Sequence, residues 1–175
     1  MPDCAHAATP PAAFELLVGA HTMRFDALEG VVAAASTFGG RWRVTDEAGA
    51  PLFSLAPAGA PGTDDREVVP HGGTPIATIM RDRRQGDSWV VLDPHGALVL
   101  RATLNGAYEV TLTDAAGVLL GRIFATATSL VVEFGTPPAS AHCLALALPL
   151  YFATTADLRI DSLDAPAPDL ALWSA

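Results

Sequence analysis

One small pattern, met three times, constrains this chain more than any other feature. "TDEAGAPLF" at residues 45–53, "LDPHGALVL" at 92–100 and "TDAAGVLLG" at 113–121 each carry Asp, two variable residues, Gly, and then an apolar run. Asp at the first position of a type I turn accepts a hydrogen bond from its own backbone two residues on, and Gly supplies the left-handed conformation that closes a hairpin. The spacing therefore predicts three antiparallel hairpins, turned at Asp46 and Gly49, at Asp93 and Gly96, and at Asp114 and Gly117. A calcium loop of the EF-hand type needs ligands at alternate positions over about twelve residues. These turns offer one carboxylate and a glycine, so the repetition is architectural.

The residues flanking the turns have the periodicity of strands. In "YEVTLT" Tyr108, Val110 and Leu112 alternate with Glu109, Thr111 and Thr113, the period-2 pattern of a sheet with one buried face. "RWRVT" does the same with Trp42 and Val44 inward, and "LVLRATL" puts Leu98, Leu100, Ala102 and Leu104 on one face. "WVVL", "IATIM" and "SLVVEF" are further strand candidates. Residues 1–13 and 161–175 have the Ala-, Pro- and small-polar look of tails, which leaves one domain over 14–160. Within it, residues 56–75 are rich in Pro and Gly and read as a long surface loop in which only Glu67, Val68 and Val69 hint at a strand.

After Pro138 the sequence "ASAHCLALALPLYFATTADLRI" is apolar nearly all round. Leu144, Leu146, Leu148 and Leu150 alternate as a strand would, while the intervening alanines favour a helix, and Pro149 implies that a helix either kinks there or begins close to it. The apolar core of this stretch, residues 143–153, is eleven residues long, against the roughly 20 a membrane-spanning helix needs. It reads as a buried core segment.

Half of the 175 residues are apolar and 17% are charged, a folded composition rather than a disordered one. The net charge is −9, and all ten basic residues are Arg, which argues against nucleic acid as a partner. Cys4 and Cys143 are far apart and make no disulfide framework. With no basic start or continuous apolar stretch at the N-terminus, the expected location is the cytoplasm or the membrane periphery.

Hairpins of the form "RWRVTDEAGAPLFSL", "SWVVLDPHGALVLRATL" and "YEVTLTDAAGVLLGRIF", followed by "SLVVEF" and a late hydrophobic segment, resemble the LURP-one-related family of the tubby-like C-terminal superfamily. Phospholipid scramblases are similar. The resemblance runs from about Trp42 to Ile160. It implies an all-β fold with one helix: a closed antiparallel barrel of about twelve strands enclosing a hydrophobic C-terminal α-helix, here "HCLALALPLYFA". Pro149 and the 56–75 loop depart from that pattern.

No catalytic, cofactor or metal constellation stands out. "GDSW" lacks the spacing of a nucleophile elbow, and Ser88 fits the start of a strand. His142 beside Cys143, and Cys4 with His6, are too few ligands for zinc. "RDRRQGDSW" is the one dense basic cluster, with Arg81, Arg83 and Arg84 within four positions. In tubby proteins basic side chains bind phosphoinositide head groups, so the resemblance implies a ligand site drawn from Arg81, Arg83 and Arg84 with Arg41 and Arg43. Read from the residues alone, the cluster is a solvated hairpin turn balanced by Asp82 and Asp87. The functional expectation is a non-enzymatic binding module for a phospholipid head group, another anionic ligand or a protein partner. A scramblase-like membrane-associated protein and an enzyme of unrecognised type are the alternatives.

Overall fold

The computed structural model describes residues 13–18, 22–28, 30–59, 62–135 and 142–155. Twelve strands run in chain order: β1 (Ala13–Val18), β2 (Thr22–Ala27), β3 (Gly30–Phe38), β4 (Arg41–Asp46), β5 (Pro51–Pro57), β6 (Arg66–Pro70), β7 (Ala77–Arg81), β8 (Ser88–Leu92), β9 (Leu98–Asn105), β10 (Glu109–Asp114), β11 (Leu119–Ala125) and β12 (Ser129–Phe134). One helix, α1 (His142–Thr155), follows. Each strand pairs antiparallel with its sequence neighbours, and β1 pairs with β12, so the sheet is a closed barrel without an edge.

Two sequence boundaries are corrected. The stretch read as a loop at 56–75 contains the end of β5 and all of β6, which is laddered on both sides: Leu55 opposite Val68, and Arg66 opposite Ile79. The strand hint at Glu67, Val68 and Val69 lies inside β6, and two prolines, Pro57 and Pro70, end these strands and gave the stretch its loop-like composition. The tail read as 1–13 yields Ala13 to β1, where it pairs with Glu133. The tail at 161–175 lies outside the described residues, as do Cys4 and His6.

The inward face is built by alternation. Leu16, Phe25, Val44, Leu55, Ile79 and Leu112, each from a different strand, are fully buried. An eight-stranded barrel is filled by its own side chains, whereas twelve strands leave a wider interior. Small inward residues, among them Ala33, Ala35, Ala77 and Ala102, widen it further. Most side chains of α1 from Cys143 to Phe152 are buried and belong to one cluster with the inward strand residues. The helix touches β5 and β6 on one arc of the ring and β1 and β12 on the opposite arc. It begins seven positions before Pro149, so the helix does not start at that proline. At its C-terminal end the Thr154 and Thr155 hydroxyls donate to the Tyr151 carbonyl, at 2.9 and 3.0 Å, satisfying an acceptor the last turn leaves over.

Because consecutive strands are antiparallel neighbours, the connections alternate between two ends of the barrel. The turns after β4, β8 and β10 share one end, called here the aspartate end. In each of them the Asp Oδ1 accepts two backbone N–H groups, two and four residues on: Ala48 and Ala50 for Asp46, His95 and Ala97 for Asp93, Ala116 and Val118 for Asp114, all at 2.8–3.0 Å. Gly49, Gly96 and Gly117 then take φ of 82°, 82° and 84°, and each donates its N–H to the carbonyl of its own Asp. The ladder slips by one residue just before each turn, between Val44 and Thr45, Val91 and Leu92, and Leu112 and Thr113. A further slip, between Phe25 and Asp26, is at the same end.

Candidate functional site

The opposite end carries the arginines. There β7 ends at Arg81 and residues 82–87 turn into β8. Asp82 organises this turn: its Oδ1 accepts the Arg84 backbone N–H at 3.0 Å, and its Oδ2 accepts Arg101 Nη1 from β9 at 2.7 Å. The Arg84 N–H first, then Arg101, hold the Asp82 carboxyl below its ordinary value of 3.8. Gln85 Oε1 takes a second bond from Arg101 at 3.3 Å. The carboxylate inside the basic cluster is thus engaged by the backbone and by a β9 arginine, rather than by the side chains of Arg83 or Arg84.

The five sequence-selected arginines take three distinct settings. Arg81 lies opposite Trp89 in the ladder, so its side chain shares the inward face at the rim. Its Nε donates to the Gly86 carbonyl at 2.8 Å, and its Cζ lies 5.6 Å from the Trp89 ring centroid. Trp89 itself is buried, meets Phe152 of α1 edge-on at 5.0 Å, and has no hydrogen-bond partner for Nε1 among the described residues. Arg83 and Arg84 are exposed in the turn, and among the described residues their side chains have no hydrogen bond or ion pair. Arg41 and Arg43 stand on the outer face of β4, alternating with half-buried Trp42 and buried Val44.

All five therefore lie toward one end of the barrel, but not in one pocket. From β4 to β7 the ring advances three strands, about 15 Å at the usual strand spacing. No single phosphate spans that distance. Among the described turn residues at the aspartate end there is no arginine at all, while Asp46, Glu47, Asp93 and Asp114 cluster there.

Two participants escaped the sequence reading. Arg101, which stands between the apolar residues of "LVLRATL" and belongs to no motif, is the partner of Asp82. Phe38, next to the Gly39-Gly40 turn, is 75% exposed at the arginine end, with the Arg43 Cζ 5.7 Å from its ring centroid. An aromatic residue set directly against a Gly-Gly turn was the available signal. Elsewhere, Leu17, Arg24, Ala34 and Thr45 form a row across the outer faces of β1 to β4 that lines a cleft of about 530 Å³. Arg24 is tied there to Asp26 at 2.7 Å, which raises its pKa.

Ser88 opens β8, buried, with its hydroxyl 3.4 Å from Gln85 Oε1. Among the described residues no group of three or more His, Cys, Asp or Glu is placed to hold a metal ion.

No protein-family profile matches the chain, and no curated protein matches it in sequence. Among solved structures it is similar to the X-ray structure of a protein from Arabidopsis thaliana, at 12% identity and a TM-score of 0.45, over 89% of this chain and 96% of that one.

Proposed function

We propose that this chain is a non-enzymatic binding module of the LURP-one-related, tubby-like kind, a barrel enclosing its apolar helix, that receives anionic groups at its arginine end. The observation that carries this reading is the polarity of the two ends. At one end Arg41, Arg83 and Arg84 face solvent with no ion pair among the described residues, beside Asp64, Asp65, Asp82 and Asp87, while the described turns of the other carry Asp46, Glu47, Asp93 and Asp114 and no arginine. Guanidinium groups with free forks suit the oxygens of phosphate and carboxylate, and a phospholipid head group is the leading ligand. Arg81, occupied with Gly86 and Trp89, serves the rim rather than the ligand. The buried helix side chains, in contact with opposite arcs of the ring, support the enclosed-helix reading.

The proposed location is the cytoplasm, with peripheral attachment to a membrane. No helix among the described residues is long and apolar enough to cross a bilayer. Sedimentation with phosphatidylserine and phosphoinositide vesicles at two salt concentrations tests the proposal, comparing wild type with Arg83→Ala/Arg84→Ala. Binding by wild type that is lost in the variant supports it. Equal binding by both proteins, or none by either, rejects the arginine end as the site. Retention of the chain in the membrane pellet after a carbonate wash would instead favour the scramblase-like alternative.

A further inference from the structure

We infer that Phe38 is a membrane anchor, and that the barrel docks on an anionic phospholipid bilayer arginine end first; this rests on the anionic-ligand reading above. The β3/β4 hairpin is built to present that ring. Gly39 and Gly40 both have positive φ, 59° and 74°, the two-residue turn that keeps paired strands together up to its first residue. Phe38 is thus held by the ladder, opposite Arg41, and still stands 75% exposed. A ring ordered by backbone pairing yet left in water differs from a loose apolar residue in a loop.

The ring's neighbours name the partner. Arg43 lies over its face, and Arg41 is its ladder partner. An apolar ring flanked by cations suits the boundary between head groups and acyl chains, where the ring enters the apolar layer and the guanidinium groups stay with phosphates. The second set of arginines, Arg83 and Arg84, lies about 15 Å further round the same end. The β5/β6 turn between them carries Asp64 and Asp65, so the rim offers two separate cationic patches, which fit two neighbouring head groups better than one small anion.

Charge also fixes the orientation. Leu28, Val118 and Leu119 are exposed as well, but their turns belong to the aspartate end, with Asp46, Glu47, Asp93 and Asp114. At the other end Asp64, Asp65, Asp82 and Asp87 stand among the arginines, whereas no arginine stands among the described turn residues here, so an anionic surface repels this end the more strongly. With a net charge of −9 the whole molecule is repelled at long range, so attachment depends on short-range contact by the ring and the guanidinium groups.

The experiment measures co-sedimentation with phosphatidylcholine vesicles, with and without phosphatidylserine, for wild type, Phe38→Ser, Phe38→Leu and Leu28→Ser. Calorimetry with soluble glycerophosphoinositol phosphate runs beside it. The ring is exposed, so the Phe38 variants should melt as wild type does. The expected result is binding that needs phosphatidylserine, falls about tenfold in Phe38→Ser, is largely kept in Phe38→Leu and is unchanged in Leu28→Ser. Vesicle binding unaffected by Phe38→Ser overturns the anchor while leaving the head-group reading standing. Binding of the soluble head group without any vesicle binding overturns bilayer docking alone, and failure of both removes the anionic-ligand reading with it. A loss in Leu28→Ser as large as in Phe38→Ser overturns the orientation.

Discussion

At the aspartate end, the turns after β4, β8 and β10 repeat one device: an Asp accepting two N–H groups, a glycine at positive φ, and a register slip before the turn. At the arginine end, the described turns after β3, β5, β7, β9 and β11 share no common sequence. The one Asp turn there, at Asp82, commits its second oxygen to Arg101, nineteen residues away. The first end is closed by local chemistry that can be copied from hairpin to hairpin. At the second, the Asp82 turn depends on a distant partner while the Gly39-Gly40 turn and the turn at 126–129 are closed locally in ways of their own, so no one device is repeated and the loops are free to carry binding groups.

Four changes break or sharpen this contrast. The largest acts on what both ends share. Leu148→Asp places an unpaired charge among buried side chains, at a cost expected to exceed about 4 kcal/mol, so no soluble, cooperatively melting protein should be recovered. Next is Gly121→Ala on β11, where a Cβ would collide with the Glu133 carbonyl and lie 2.9 Å from Phe134 Cδ1. Relieving that overlap requires backbone movement, and a loss of about 1–3 kcal/mol should appear as a lower melting temperature.

The third change compares the three Asp-Gly turns with the Asp82 turn, since other arginine-end turns, such as Gly39-Gly40, also hold glycines at positive φ. Gly117→Val, Gly96→Val or Gly49→Val forces a β-branched residue to φ above 80°, costing each turn about 1 kcal/mol or more. Gly86 in the arginine-end turn is free of that backbone demand and has open space around it, so Gly86→Ala should melt within experimental error of wild type. Equal losses at Gly86 and Gly117 would erase the distinction. The smallest effect concerns acid. Asp82 has a depressed carboxyl pKa in the folded state, so its contribution is fully present above the ordinary value of 3.8 and lost as the pH falls through the lower folded value. Asp82→Asn should flatten the acid limb of a stability-versus-pH curve, with a small loss at neutral pH, where the wild-type carboxylate contributes, and convergence with wild type at the acid end.

The same contrast explains what could be read in advance. Strands beside the Asp turns were legible because their turn chemistry is local and their faces alternate, as in Val110 and Leu112 on β10. The first three strands were not: "GVVAAASTF" of β3 has alanines where larger residues would mark the period, and β1 begins inside a stretch with the composition of a tail. Of residues 66–70 only Glu67, Val68 and Val69 hinted at a strand, because the surrounding prolines gave the stretch the look of a loop, although Val68 is fully buried. For the candidate site, the arginines could be found by their density in sequence. Their division between the Trp89-covering Arg81, the turn pair and the β4 pair could not, because it depends on which strands the ring brings together. The pairing of Asp82 with Arg101 is invisible for the same reason.

Closure of the ring also bears on how the chain comes off the ribosome. Neighbouring strands can zip together as they emerge, but β1, the first made, has to wait for β12, and the hydrogen bond from Ser129 to Glu15 joins residues 114 positions apart. Until then the growing sheet has two raw edges and an uncovered apolar face, and the helix side chains that complete the core are synthesised after every strand. Two nascent chains in that condition present each other with the same pairing that closes one of them, β1 of one against β12 of the other. A swapped dimer is therefore the misassembly this architecture most readily allows, and slow supply of β12 and α1, rather than any weakness of the finished barrel, is what would produce it.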